Sequence, residues 1–509
     1  MALIARMLLA NATHNGRRSA VVWGTDKHRS WAEVSQRSGG LARGLLDRGL
    51  APGDRVALVS DNVPEILESY FAAAGSGLVV APASPRAHPS ELDRYFGEYI
   101  EPAAVLLGPG SEEAIGGWVD RCRVVVRMPG GPMGEPYDEL VSSGGTLRDD
   151  IDPDVPYTIA ATSGTMGHPK GAVITQRMAA SAIFSFVAEN PIATDDAYLL
   201  QHPMSNIPGG PGQLFALPKA ARTVLLERFD AALCLETIER QGITHTVLVP
   251  TMLGDLLAHE RMPTTDVSSL RVVVIGASPI PRPLLSRGVE RFGAVFRPMY
   301  GMTETTAVAC VLRPQDMYPV DAHPDDRLAS AGVPTAGIDL KVVRDDGSEV
   351  NGDGTEFGEI LIRGVNVAQR YWGDIDENTT AWDGEYFRSG DMSTVDERGF
   401  LTIVDRKKDV IISGGTNVAS REVEEVILAM DGIGQVAVIG VPDERWGEAV
   451  TAVVVPTDAS DPPSEVEVLT HCRRHLKGPK VPKSVHVVDS LPLSPMGKVL
   501  KRQIRADLT

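Results

Sequence analysis

The residues from 162 to 171 carry the side chains most suited to chemistry in this chain. They read Thr-Ser-Gly-Thr-Met-Gly-His-Pro-Lys-Gly, so that hydroxyls, glycines and the cation of Lys170 lie close together. Glycine lets the backbone approach an anion, hydroxyl and N–H groups donate to phosphate oxygens, and lysine adds a point charge. Apolar residues flank the segment, which is typical of a loop between two strands. The pattern predicts a phosphate-binding loop, although these residue types also favour ordinary surface turns.

Two apolar runs in the middle of the chain also end in residues suited to a ligand site. The run at 272–275 leads into Gly276, Ala277 and Ser278. The run at 294–299 leads into Tyr300, Gly301, Met302, Thr303 and Glu304. In α/β proteins, ligands bind at the carboxyl ends of parallel strands. We therefore expect a site after these runs, although an acid such as Glu304 is also typical of a helix N-terminus.

The elements that must position these residues follow two different patterns. Strands are predicted at 55–59, 223–226, 246–249 and 271–275, with helices at 65–74, 234–241 and 251–259 between them. This alternation predicts α/β layers with parallel strands. After residue 358 the strands become short and antiparallel in pattern, and Ser464 with Glu467 predicts a capping box that opens a late helix. We predict a large multi-layer α/β domain at 1–405 and a small α+β domain at 406–509.

Composition limits the classes of function. A chain of 509 residues is too long for one hydrophobic core, so several domains are expected. A formal net charge of -18 argues against general binding to nucleic acid or to anionic membranes, so a nucleotide must bind in a local pocket. The 4 cysteines lie far apart, which favours a reducing cytoplasm over a disulfide scaffold or a zinc cluster. No apolar run is long enough to span or anchor in a bilayer.

Taken in order, the motifs resemble the adenylate-forming superfamily of acyl-CoA synthetases, peptide-synthetase adenylation domains and luciferases. The C-terminal half adds two further matching motifs, Phe387-Arg388-Ser389-Gly390-Asp391 and Leu491-Pro492-Leu493-Ser494-Pro495-Met496-Gly497-Lys498. The resemblance runs from Ser30-Trp31 to Lys498, with several motifs in the family's order and spacing. It implies that a carboxylate attacks the α-phosphate of ATP, with Mg²⁺ as cofactor, and that pyrophosphate leaves.

The resemblance implies roles for the residues of the first two-thirds of the chain. The loop residues Thr162, Ser163, Gly164, Thr165 and Gly167 would grip the β- and γ-phosphates with Lys170. Thr303 would contact the α-phosphate, and Glu304 would hold Mg²⁺. The rest of the ATP site would be formed by Gly276, Ala277, Ser278, Gly301 and Tyr300, with Tyr300 packed on adenine.

Further roles fall on the C-terminal part. Asp391 would accept hydrogen bonds from the ribose hydroxyls, Arg406 would reach the ribose or phosphate, and Lys498 would reach the α-phosphate and the attacking carboxylate. Lys408 matches the hinge about which the small mobile domain rotates between two half-reactions. A lone Asp391 is also typical of a turn, and the cations near the C-terminus are also typical of a solvated tail.

The segment 441–448 is typical of the branch of the family that uses CoA as acceptor. By resemblance, the loop with Gly414 and Gly415 shapes the thiol tunnel, and Trp446 stacks on the CoA adenine, with Lys477, Lys480 and Lys483 near its phosphates. A tryptophan covering the small domain's core is a nearly equal alternative for Trp446. We expect a free-standing acid–CoA ligase, and many relatives of this kind form homodimers.

The predicted acid pocket departs from the family pattern. Many CoA ligases read Pro-Leu-Phe-His where this chain has Pro203-Met204-Ser205-Asn206. The pocket would include Ser205, Asn206, Ile207 and Gly209, and its small residues leave room for a ring or a branched chain. Asn206 is predicted either to hold the substrate or to serve only as a loop residue. An aryl or a short-to-medium acyl acid is expected.

Other functions remain open at this stage. The acyl group could pass to a carrier-protein thiol, an amine or a small inorganic nucleophile instead of CoA. A nucleotide-binding protein without turnover has no need of Lys498, which argues against that class. A scaffold protein would lack ATP-dependent pyrophosphate release.

Overall fold

The computed structural model describes residues 3–162, 170–206, 209–278, 280–318, 328, 330–373, 375–458, 460–492 and 499–508. The chain forms two compact units, residues 1–340 with 362–387 and residues 341–361 with 388–509. The last change from one unit to the other, between residues 387 and 388, lies before the predicted boundary at residue 405. The hinge at Lys408 stays a prediction.

The larger sheet of the first unit is a mostly parallel α/β sheet, as the alternation predicted. Among the described residues it has nine strands, in the spatial order Val333–Pro334, Cys310–Val311, Phe296–Tyr300, Val272–Ile275, His245–Leu248, Ala197–Leu200, Arg222–Leu225, Ser19–Trp23 and Lys27–Ser30. The six strands from Phe296–Tyr300 to Ser19–Trp23 pair in parallel, and the outer three pair antiparallel. The parallel strands place Gly276 and Gly301 at the same edge of the sheet.

The second sheet of this unit carries the predicted phosphate loop at its edge. In the described ranges its seven strands run in the order Glu135–Pro136, Val124–Arg127, Ala104–Leu107, Arg55–Val59, Val79–Ala83, Pro156–Thr162 and Lys170–Thr175. All pairs are parallel except the last. The strand Arg55–Val59 has the predicted bounds, because a short apolar run between turn residues leaves few alternatives.

Helices pack on both sheets of the first unit. They are Leu3–His14, Trp31–Asp47, Pro64–Ser76, Pro89–Arg94, Tyr137–Val141, Gln176–Glu189, Pro211–Leu214, Ala231–Gln241, Pro250–Ala258, Arg282–Phe292, Pro314–Met317 and Glu377–Thr380. Ser30 caps the second of these, since its hydroxyl accepts from the Glu33 N–H while the Glu33 carboxylate accepts from the Ser30 N–H. A shared core of buried side chains, among them Tyr70, Tyr157 and Tyr198, fills the space beneath these helices.

The second unit is an α+β structure, as predicted. Its main sheet consists of Thr416–Val418, Ile411–Ser413, Gly447–Pro456, Ile433–Asp443 and Ser484–Val487, and its helices are Ser420–Leu428, Glu465–His475 and Lys501–Leu508. The capping box of Ser464 and Glu467 is present as predicted. The chain also forms the strands Ile338–Val343, Phe357–Gly364, Trp382–Asp383, Tyr386–Val395 and Leu401–Arg406.

The helices in the described ranges are all too short or too polar to cross a bilayer.

Candidate functional site

The strands around the predicted phosphate loop form a hairpin in the first unit. Pro156–Thr162 and Lys170–Thr175 pair antiparallel, and Thr162 lies opposite Lys170. The loop between them is therefore closed at its base, as the sequence predicted. Four of the predicted phosphate contacts, Ser163, Gly164, Thr165 and Gly167, lie outside the described residues.

Lys170 lies between an acidic and an aromatic side chain. Its Nζ is 2.9 Å from the Glu377 Oε1 and 5.4 Å from the centre of the Tyr371 ring. The Lys170 side chain is only 14% exposed, so both interactions are partly shielded from water. Lys170 is thus held in place by one carboxylate and one aromatic ring.

Tyr371 links this lysine to the predicted metal ligand. Its hydroxyl donates to the Glu304 Oε1 at 2.8 Å, and both side chains are buried. Burial, followed by the charge of Glu304, raises the pKa of Tyr371, so the phenol stays protonated and remains a donor. The structure therefore brings Lys170 to the ring of Tyr371 and Glu304 to its hydroxyl, in a cluster that also includes Glu377.

The turn that carries Glu304 is strained and well supported. Thr303–Thr305 is a single 3₁₀ turn after the strand Phe296–Tyr300, and the next residues, Thr306 and Ala307, have φ of 50° and 71°. The buried Asn366 side chain donates to the Thr305 and Val308 carbonyl oxygens at 2.7 and 2.8 Å. Ala277, at the end of the neighbouring strand, has a φ of 67° as well. Strain of this kind persists where the surrounding structure holds it, and it is common at functional sites.

The residues present fit Mg²⁺. The buried Glu304 carboxylate, which follows Thr303 directly in sequence, supplies the hard oxygen donors that this ion prefers, and few protein ligands are needed when phosphates complete its coordination. Tyr300 and Gly301 lie partly exposed just before this turn, and Ala277 and Ser278 are exposed at the neighbouring strand end.

The second unit brings together the two predicted ribose contacts. Asp391 and Arg406 lie opposite each other on paired strands, and the Arg406 Nε is 2.6 Å from the Asp391 Oδ1. Asp391 is buried, and its N–H donates to the Ser389 hydroxyl. The carboxylate is thus fixed in direction by its strand and by one guanidinium.

The predicted hinge lies directly after this strand. Lys408 is in the 3₁₀ turn Lys407–Asp409 with its side chain exposed, and it makes no ion pair with any described residue. On the preceding strand, the Asp405 carboxylate accepts from the N–H and hydroxyl of Ser420, so one side of the turn is anchored to the helix Ser420–Leu428. Lys498, the predicted adenylation lysine, lies outside the described residues.

The predicted CoA contacts lie next to one another in the second unit. The Gly414 N–H donates to the Trp446 carbonyl at 2.7 Å, and the Lys483 Nζ lies 4.5 Å from the centre of the Trp446 ring. Lys480 instead pairs with Glu422 at 2.7 Å, and Lys477 is exposed. Gly415 is exposed at the tip of the same loop. Trp446 is half-buried and is not a member of the apolar clusters among the described residues of this unit. Its two predicted roles, stacking on the CoA adenine and covering the core of the small domain, both stay predictions.

The predicted acid-pocket segment is held by buried polar contacts. The Asn62 amide donates to the His202 carbonyl and accepts from the Met204 N–H, while the Tyr70 hydroxyl donates to the Met204 carbonyl. Asn206 is exposed, Ser205 is half-buried and Gly209 is buried. The Asn206 carbonyl, not its side chain, accepts from Gln213. Ile207 lies outside the described residues.

Sequence reasoning missed Tyr371, Glu377, Asn366 and Asn62. Each contacts a residue at least 58 positions away. The one available signal was the run 370–378, upstream of the Asp391 motif, in which two aromatic residues are followed by acidic residues and Asn378.

Comparison with known proteins gives matches over both units. Residues 8–372 match the model of the AMP-binding enzyme family, and residues 422–498 match that of the AMP-binding enzyme C-terminal domain. The chain is 36% identical to a feruloyl-CoA synthase of an Amycolatopsis species, over 94% of this chain and 93% of that one. It is 34% identical to an indoleacetate–CoA ligase of Aromatoleum aromaticum, over 94% and 92%.

Two solved structures are similar over the full length. ATP-bound MatB from Rhodopseudomonas palustris superposes with a TM-score of 0.87 at 28% identity, over 99% of each chain. The amide bond synthetase McbA from Marinactinospora thermotolerans also superposes with a TM-score of 0.87 at 28% identity, over 100% of each chain.

Proposed function

Because the chain belongs to the AMP-binding enzyme family and is a ligase, we propose that it activates a carboxylic acid with ATP and transfers the acyl group to CoA. In the first half-reaction, a carboxylate oxygen bonds to the α-phosphorus and pyrophosphate leaves. In the second, the CoA sulfur bonds to the acyl carbon and AMP leaves. Both steps bring anions together, so the site must offset charge and hold the reactants in position.

The observation that carries this proposal is the cluster of Lys170, Tyr371 and Glu304. Lys170 lies over the ring of the buried Tyr371 and Glu304 accepts from its hydroxyl, next to a loop rich in Gly, Ser and Thr. A cation and a carboxylate in this arrangement suit a polyphosphate with a bound metal ion, the cation for the phosphate and the carboxylate for the metal. Mg²⁺ bound at Glu304 would offset the phosphate charge. Phosphate oxygens would take the place of Glu377 at the Lys170 ammonium.

The remaining roles follow from position. Thr303, one residue before Glu304, would donate to the α-phosphate. Asp391 and Arg406 would bind the ribose, and Lys498 would bridge the carboxylate and the α-phosphate. A rotation at Lys408 would then exchange Lys498 for the loop of Gly414 and Gly415, with Trp446 toward the CoA adenine.

We also propose that the acid is an aryl or arylalkanoic acid. The two relatives named above act, by their names, on ferulate and indoleacetate, and both align over nearly the whole chain. Gly209 packs against the Tyr157 ring and Gly212 against the His202 ring, beside the segment that the Asn62 amide holds in place.

An amine acceptor is the second candidate. Asn206 stands where many CoA ligases of the family have a histidine, and one similar structure over the whole chain is an amide bond synthetase. The first half-reaction is the same for both acceptors, so they differ only in what attacks the adenylate.

The test is pyrophosphate release from Mg·ATP with aryl, arylalkanoic and short- to long-chain acids, each with no acceptor, with CoA, and with a primary amine. We expect one acid class to give release that rises several-fold with CoA, with the thioester seen by mass spectrometry. Release that rises only with the amine, with amide as product, would establish the second candidate. Absence of release with every acid would contradict the proposed function.

A further inference from the structure

Two buried polar atoms near the predicted acid pocket have no hydrogen-bond partner among the described residues. They are the Tyr157 hydroxyl and the His202 Nδ1. Tyr157 is 1% exposed, and the Nδ1 of His202 is buried as well. Leaving such a group unpaired destabilises the folded protein, and most buried polar atoms in proteins are therefore paired.

Both side chains pack against the same short turn. Gly209 has a φ of 65°, and a Cβ built on it would lie 2.8 Å from the Tyr157 hydroxyl oxygen. A Cβ on Gly212 would lie 2.9 Å from the His202 Nε2. The two glycines are three residues apart, so the phenol and the imidazole approach neighbouring points of the backbone from residue 209 to residue 212. Any side chain larger than hydrogen at either position would displace them.

The surroundings hold these two groups in place. Asn62 fixes the His202 carbonyl, and the Tyr198 hydroxyl donates to the Gly212 carbonyl at 2.7 Å. The Tyr70 hydroxyl, which lies near Tyr157, is already used by the Met204 carbonyl. Burial lowers the pKa of His202 to about 4, so the imidazole is neutral near pH 7 and offers one donor and one acceptor nitrogen.

Resting on the proposed function, we propose that Tyr157 and His202 form a polar subsite that binds a hydroxyl group on the acid substrate. A hydroxyl both donates and accepts, so a single group can satisfy a phenol and a neutral imidazole together. The substrate is then a hydroxylated acid. The same acid without the hydroxyl would leave both protein groups unpaired, which is an effective way to reject it.

A bound water molecule is the alternative explanation for a buried polar atom without a protein partner, and Gln213 is an example. Its Oε1 is also buried without a partner, but Gln213 lines a small internal cavity with Trp31 and Phe71, on the side of the N-terminal helices. A water molecule there would satisfy it without any substrate. The same explanation applied to Tyr157 and His202 predicts no selectivity for hydroxylated acids, so the two explanations are separable.

The experiment compares acids that differ by one hydroxyl. Values of kcat/KM for pyrophosphate release are measured for benzoic, phenylacetic and cinnamic acids and for their monohydroxy isomers. We expect the intact protein to prefer one hydroxylated isomer over its parent acid by at least about tenfold. In Tyr157→Phe and His202→Phe this preference for the hydroxylated isomer over its parent acid should fall about tenfold.

Tyr95→Phe is the matched control. The Tyr95 hydroxyl is likewise buried and unpartnered among the described residues, but it lies in a separate apolar core with Phe96 and Trp118. Its loss should leave the selectivity of the intact protein in place. An equal loss for both acids of a pair, or no preference in the intact protein, would overturn the subsite while adenylation stands. Absence of release with every acid would instead overturn the proposed function, and the subsite with it.

Discussion

At the scale of single residues, the Tyr371 hydroxyl holds the Glu304 carboxylate in position. Tyr371→Phe removes only this donor and keeps the ring beneath Lys170. Hydrogen bonds to charged groups contribute about 1.5–3 kcal/mol, so we expect the Mg²⁺ concentration for half-maximal pyrophosphate release to rise roughly tenfold or more. Binding of Mn²⁺ with ATP, followed by electron paramagnetic resonance, should weaken in parallel.

A second tyrosine provides the control for this prediction. The Tyr386 hydroxyl also donates to a carboxylate, that of Asp339, at an exposed position. Tyr386→Phe should leave the metal requirement unchanged. If Tyr371→Phe lowers the thermal midpoint but not the affinity for Mn²⁺, then Tyr371 supports the fold only.

At the scale of elements, a buried ion cluster joins two helices of the first unit. Glu68, on Pro64–Ser76, is fully buried and pairs with Arg29 and with Arg37 of Trp31–Asp47. The Tyr137 hydroxyl also donates to it, at 2.8 Å. Arg29 also pairs with Glu65, and Arg37 with Asp138, so loss of Glu68 leaves the two cations only partly compensated.

We therefore expect Glu68→Gln to lower the free energy of unfolding by about 1.5–3 kcal/mol, measured as a shift of the first urea transition. Asp47→Asn breaks the exposed pair with Arg43 on the same helix, and it should cause no measurable shift. Equal shifts in the two variants would show that the buried cluster has no special part in the fold.

The elements also show what the sequence could predict. Strands such as Arg55–Val59 and the capping box at Ser464 depend on neighbouring residues, so periodicity and local chemistry were sufficient. The partners of Glu68, and the contact of Tyr371 with Glu304, join residues 31 to 69 positions apart. No local pattern specifies such pairs, because they depend on how the sheets and helices pack.

At the scale of the whole molecule, the predicted site residues fall in both compact units. Lys170, Glu304 and Tyr371 belong to the first, whereas Asp391, Arg406, Lys408 and Trp446 belong to the second. The proposed function gives roles to residues of both units, and residues on separate units can act in different steps. This division is the physical reason to expect that one variant can lose one half-reaction and keep the other.

Lys408→Pro and Lys498→Ala test that expectation together. Proline fixes φ near −65° and disfavours helical backbone at Lys407, so a hinge at Lys408 would lose its freedom to change conformation. We expect Lys498→Ala to abolish adenylation but to leave thioester formation from a supplied acyl-adenylate within about threefold, since only the first half-reaction has a carboxylate to bridge to the α-phosphate.

Lys408→Pro should slow one half-reaction at least about tenfold more than the other. Lys407→Ala is the control, because Lys407 pairs with Asp345 and Glu359 beside the same turn without being the hinge. Equal losses in both half-reactions for Lys498→Ala and Lys408→Pro would refute the rotation and place both steps in a single arrangement of the two units.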